Sequence, residues 1–170
     1  MSLLRGRQNV AKFKSKTSWR AKLERPQEPE VVEVPENSPA AWGHGTMIIV
    51  TPKIIDTVVK TIPEGKLLTV TEMRKKFAAE YGTDVTCPLT TGIFLRICAE
   101  AAEEARAEGN SDISAYWRVI RENGELIDKF PGGVERQAQL LQKEGYTIEP
   151  KGRTGKKLVV QGFEKHLMAL

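Results

Sequence analysis

Cysteine and histidine are scarce in this chain: Cys87, Cys98, His44 and His166 are all that 170 residues contain. Two cysteines make no disulfide framework. The opening stretch Met1-Ser2-Leu3-Leu4-Arg5-Gly6-Arg7 lacks the apolar centre of a secretory signal. Together these predict an intracellular, cytoplasmic protein with reduced thiols. The histidines sit at opposite ends of the chain and form no metal-ligand spacing with the cysteines, so neither a zinc site nor any other cofactor is predicted. Long apolar runs are missing too. Met47-Ile48-Ile49-Val50 is among the longest, far below the roughly 18 residues a membrane span needs. Aromatic residues make up only 6%. Hydrophobic residues at 40% and charged residues at 28% still match a folded globular domain and exclude a wholly disordered chain.

The charge is unevenly distributed. Residues 1–25 carry eight basic side chains against Glu24, a net of +7, and form a predicted flexible basic arm. Residues 26–44 carry four glutamates, no Lys or Arg, and Pro26, Pro29, Pro35 and Pro39, a net of −4, and resemble an extended linker. Residues 45–145 have a net of −2 and residues 146–170 a net of +3. The expected organisation is an arm and linker over 1–44, a folded domain over 45–148 and a basic C-terminal extension over 149–170. The positive charge that attracts nucleic acid lies in the tails.

Within the central domain, Thr51-Pro52 is a helix start, and Ile54, Ile55, Val58, Val59 and Ile62 follow with helical spacing. Thr69 and Glu72 form a capping box for a second helix with Met73, Phe77 and Tyr81 on one face and Gly82 as its stop. Cys87-Pro88 opens a third and longest helix, with Ile93, Phe94, Ile97, Cys98, Ala101, Ala102 and Ala105 as the apolar stripe and Gly109 as its end. Tyr116 to Ile120 reads as a strand, Asn123-Gly124 as a hairpin turn and Glu125-Leu126-Ile127 as the return. A helix from about Val134 to Glu144, a strand over Lys157 to Val160 and a short helix near Phe163 to Leu167 complete the chain. Three helices followed by a hairpin are the order of a winged helix-turn-helix, so the predicted fold is α+β, mainly helical, with the third helix presented to DNA.

Ile62-Pro63-Glu64-Gly65-Lys66, Arg118-Val119-Ile120 with Asn123-Gly124-Glu125-Leu126, Gly132-Gly133-Val134-Glu135-Arg136-Gln137 and Leu140 to Gly145 carry a resemblance. In their order and spacing, residues from about Ile54 to Gly145 resemble the DNA-binding domain of the alkylguanine-DNA alkyltransferases and their alkyltransferase-like relatives. In that family a strand bearing Pro-Cys-His-Arg-Val supplies the cysteine that accepts the alkyl group. Here the aligned residues are Ala115-Tyr116-Trp117-Arg118-Val119, which puts Tyr116 at the acceptor and Trp117 at the histidine, with Glu144 matching the relay glutamate. A phenol with no neighbouring base is a poor nucleophile at neutral pH, so alkyl transfer is not expected. The resemblance is nearer to the alkyltransferase-like branch, which binds alkylated DNA without repairing it and flags the lesion for other repair proteins. Two departures count against ordinary base flipping: Val70 stands where the family has its base-rotating tyrosine, and no arginine sits near Thr91-Gly92.

The resulting expectation is a non-enzymatic, nucleoid-associated protein whose partners are double-stranded DNA and DNA-repair proteins, with no membrane role. Its DNA-contacting residues are Thr90, Thr91, Gly92 and Arg96 on the third helix and Lys75 and Lys76 on the second. The resemblance implies a lesion pocket formed by Tyr116, Trp117, Arg118, Gly132 and Gly133. Two other functions fit the sequence: a protein-interaction module using the acidic outer face of residues 97–108, and a thiol enzyme acting through Cys87, whose place at a helix N-cap favours a thiolate.

Overall fold

A computed structural model describes residues 17–170, and part of the expected basic arm, residues 1–16, lies outside the described residues. The architecture is α+β. Residues assigned from sequence to arm and linker supply two elements, the short helix α1 (Trp19–Leu23) and strand β1 (Glu30–Glu33). Ser18 caps α1, its Oγ accepting from Ala21 N at 3.0 Å. β1 pairs antiparallel with β2 (Thr46–Ile49), whose other edge runs parallel to β4 (Val85–Thr86).

The three central helices follow the sequence signals. α2 (Pro52–Lys60) begins at Thr51, whose Oγ1 accepts from Ile54 N at 3.2 Å, with proline in the first turn where no amide partner is needed. The two-residue strand β3 (Leu68–Thr69) leads into α3 (Val70–Tyr81). Thr69 caps α3, accepting from Glu72 N at 3.1 Å, and Gly82 closes it at φ +63°. Only this half of the capping box forms, because the Glu72 carboxylate turns to Lys75 at 2.9 Å. α4 (Pro88–Ala107) is the longest element. Its buried stripe is Thr91, Leu95, Cys98, Ala99, Ala101 and Ala102, rotated from the expected one, so that Leu89 and Ile93 are exposed. Tyr81, the last residue of α3, is also partly exposed.

The expected hairpin over 116–127 is not formed. Tyr116–Arg118 is a 3-10 turn, and β5 (Val119–Ile120) pairs parallel with β3. Arg121 N donates to Glu125 O and Gly124 N to Arg121 O, both at 2.9 Å, which closes a tight turn at the predicted Asn123-Gly124. The segment after the turn pairs elsewhere: Glu125 bridges Val159, and Leu126 N donates to Leu158 O at 2.9 Å. α5 (Gly133–Lys143) then leads to an antiparallel hairpin of β6 (Ile148–Lys151) and β7 (Lys157–Val160) and a 3-10 turn over Phe163–His166.

One apolar cluster joins β2, α2, α3 and α4 with Tyr116, Val119, Ile127 and Phe130. A second joins Leu67, Ile120, Leu126, Ala138, Leu141, Tyr146 and Val160, with Leu158, Phe163 and Leu167 packed against it. The C-terminal residues therefore build core. No helix among the described residues is long and apolar enough to cross a membrane.

Candidate nucleic-acid interface

A groove of about 250 Å³ opens between the start of α3, the first turns of α4 and the loop over 121–130. Its floor is apolar, with Val70, Leu95, Ile127 and Phe130. Around it stand Arg74, Arg96, Arg121 and Lys129, and no carboxylate lines it. Arg74 is held in place by its own neighbours: its Nε and Nη2 donate to Thr86 O at 3.3 and 3.2 Å, and Thr86 Oγ1 donates back to Arg74 O at 2.7 Å. Burial lowers its pKa from the usual arginine value. The other cations are exposed. Arg121 pairs with Asp128 at 2.9 Å and Arg96 lies 3.7 Å from Glu100, both weak surface pairs that a polyanion displaces at little cost.

The residues expected from sequence to touch DNA divide sharply. Arg96 and Gly92 line the groove, and a side chain added at Gly92 would meet nothing within 4 Å. Thr91 is fully buried, its Oγ1 donating to Cys87 O at 2.7 Å, and Thr90 Oγ1 is buried without a hydrogen-bond partner. Neither hydroxyl is open to a base edge. The outer face of this turn is instead apolar, presenting Leu89 and Ile93. Lys75 and Lys76 are engaged along their own helix by Glu72 and Glu80, outside the groove.

None of the five residues assigned to a lesion pocket lines the groove, and three of them, Tyr116, Trp117 and Arg118, are tied to the carboxylates of Glu103 and Glu144. Tyr116 is 0% exposed, and its hydroxyl donates to Glu103 Oε1 at 2.6 Å. Burial, then the bond and charge of Glu103, push its pKa well above the usual phenol value. Phe130 stands against it edge-on at 5.1 Å and forms part of the groove floor. Trp117 lies in a 3-10 turn where a strand was expected, edge-on to Tyr116 at 5.4 Å. Its Nε1 donates to Glu144 Oε1 at 3.0 Å, and the Arg106 and Arg118 guanidinium groups lie 5.4 and 5.8 Å from its ring. Arg118 Nη2 reaches Glu144 Oε1 at 2.6 Å, its Nε contacts both carboxylate oxygens, and its Nη1 donates to Ile62 O at 2.7 Å. Arg106 Nε is 3.2 Å from Glu103 Oε2, close enough to pair but misaligned for a hydrogen bond. Gly132 and Gly133 start α5 at φ +74° and +70°, and a Cβ at Gly132 would lie 2.6 Å from Arg136 Cβ.

Cys87 does sit at the N-cap of α4, but it makes no side-chain cap bond and is 4% exposed. Cys98 is buried, and burial pushes its thiol far above the usual range. The acidic face of α4 is largely taken up within the chain. Glu104 Oε2 accepts from Trp19 N at 3.0 Å, Glu108 pairs with Arg20, and Glu103 holds Tyr116. No group of three His, Cys, Asp or Glu among the described residues is placed to hold a metal ion.

No family model, curated protein or solved structure matches the chain. The functional reading therefore rests on the geometry above. Sequence reasoning missed Arg74, Arg121 and Lys129. Arg121 opens the Asn123-Gly124 turn and Lys129 follows it by five residues, but nothing in the local pattern joins either to α4.

Proposed function

We propose that the chain is a non-enzymatic DNA-binding protein of the alkyltransferase-like kind, which presents the N-terminal half of α4 to duplex DNA in the manner of a helix-turn-helix. The observation that carries this reading is the groove itself, four cations around an apolar floor with no carboxylate lining it. Arg96, Arg121 and Lys129 contact phosphates, which supplies affinity without sequence information. Leu89 and Ile93 make apolar contacts beside the open backbone at Gly92. The face of an alkylated base that reaches the groove meets Leu95, Ile127 and Phe130, a floor that favours a planar apolar surface.

Chemistry at Tyr116 is opposed by its surroundings. The hydroxyl is buried and bonded to a carboxylate, and Trp117 occupies Glu144 as a donor without providing a base. The acidic face of α4 is a poorer candidate for a partner, because α1 and Tyr116 already engage its carboxylates.

The test is fluorescence anisotropy of the full chain on duplexes with and without a central alkylguanine, beside a variant carrying Arg96→Glu and Lys129→Glu. Both positions are exposed, and thermal unfolding of the variant verifies its fold. Binding weakened at least tenfold by the reversal supports the groove, and tighter binding to the alkylated duplex supports lesion reading. A variant that binds like the parent overturns the assignment.

A further inference from the structure

The seven residues Lys151 to Lys157 at the end of the β6–β7 hairpin contain Lys151, Arg153, Lys156 and Lys157 and no acid. All seven are exposed. Lys151, Arg153 and Lys156 form no ion pair among the described residues, and Lys157 pairs with Glu125 at 3.5 Å. The hairpin is firmly based. Val159 and Val160 are buried, Gln161 N donates to Thr147 O at 2.9 Å, and Leu126 N donates to Leu158 O at 2.9 Å. Phe163 packs so closely on the 121–125 turn that a Cβ at Gly124 would come within 2.5 Å of its ring. A second cavity, of about 430 Å³, lies between hairpin and turn, with Arg121, Lys156 and Lys157 among its cations and Glu125 and Asp128 as its acids. Arg121 lines this cavity and the α4 groove alike.

We infer that the β6–β7 tip is a second contact surface for the phosphate backbone of duplex DNA, joined to the α4 groove through Arg121. The inference rests on the DNA-binding reading above. Four cations held at the end of a hairpin anchored in the core match a polyanion, and the shared arginine links groove and tip across a cavity whose three cations outnumber its two acids. The tip offers charge and two glycines without aromatic or amide side chains, so it positions the duplex and reads no sequence.

The experiment measures duplex affinity of the full chain between 50 and 200 mM salt, for the parent and for a variant carrying Lys151→Ala, Arg153→Ala and Lys156→Ala. Thermal unfolding of the variant verifies its fold. Three lost phosphate contacts lower the slope of log affinity against log salt by about 3, and the parent-to-variant affinity ratio shrinks about 40-fold across that range. The loss is equal on normal and alkylated duplexes. If the variant keeps the parent's slope while the Arg96→Glu, Lys129→Glu protein loses binding, the hairpin inference fails and the groove stands. If the parent binds no duplex, or binds only RNA, both fall.

Discussion

Removing the Glu144 carboxylate strands two donors at once. Arg118 and Glu144 are about 14% and 10% exposed, and the same carboxylate accepts from Trp117 Nε1. Glu144→Ala leaves a mostly buried guanidinium without its counter-charge, a change that costs about 3–5 kcal/mol and is measured by urea unfolding. Glu144→Gln keeps an acceptor for Trp117 and costs less. A second consequence concerns pH. Burial raises the pKa values of Cys98, Tyr116 and Tyr146 above their ordinary values, which are 9.0 for the thiol and 10.0 for the phenols. Once unfolded, these groups release protons near the ordinary values, whereas in the fold they hold them. The folded state thus binds more protons at alkaline pH, so stability is full below about pH 9 and falls as pH rises through 9 to 11. The urea midpoint is expected to drop over that interval, and to drop less in Tyr116→Phe. At this scale the sequence singled out Tyr116 and Trp117 through a resemblance that aligns them with a cysteine and a histidine. That Glu103, thirteen residues earlier, takes the phenol hydroxyl was not, because nothing in the local pattern points one side chain at the other.

The elements show why local signals succeed and long-range pairings escape. Thr51-Pro52, Thr69 and Gly82 mark helix ends because caps satisfy backbone groups within a few residues, and the structure has them where the sequence places them. β3 and β5 are two residues each and pair in parallel across 51 positions, a contact that no periodicity announces. The 116–127 hairpin was expected from its Asn-Gly turn, yet the return segment pairs with β7, and a residue-by-residue reading has no means of choosing between the two. Gln137 holds this arrangement together. It is 0% exposed, its Oε1 accepts from Ile127 N at 2.7 Å, and its Nε2 donates to Trp117 O and Val119 O at 3.1 and 2.8 Å. Gln137→Ala leaves those groups unpaired and costs about 3 kcal/mol or more, at about 1–3 kcal/mol for each buried group. Hydrogen exchange at the Ile127 amide, beside the groove, is expected to quicken well before global unfolding.

For the whole molecule, the described fold extends beyond the central domain in both directions. α1 is tied to α4 through Trp19–Glu104 and Arg20–Glu108, and β1 lies on β2. The linker's prolines and glutamates hid β1, since Val31 and Val32 are too short a run to declare a strand without their partner. The C-terminal residues hid their role for the same reason. Val160, Leu158, Phe163 and Leu167 are scattered in a basic segment but converge on one cluster. A chain ending at Thr147 is expected to melt at a markedly lower temperature than the full chain or not to fold. Differential scanning calorimetry of the two chains distinguishes this account from one in which 149–170 is a dispensable tail. The candidate groove was partly legible: Gly92 and Arg96 were in the sequence reading, but the cations completing it come from α3 and from the 121–130 loop and meet only in the fold.

The central claim is that duplex DNA docks on the α4 groove and the face beside it. The most direct measurement is a backbone-amide NMR titration of the full chain with a short duplex. The account expects shifts concentrated over residues 88–96, 121–130 and 151–157, with residues 100–108 unmoved. Shifts confined to residues 1–16, or centred on the acidic face at 100–108, would contradict it.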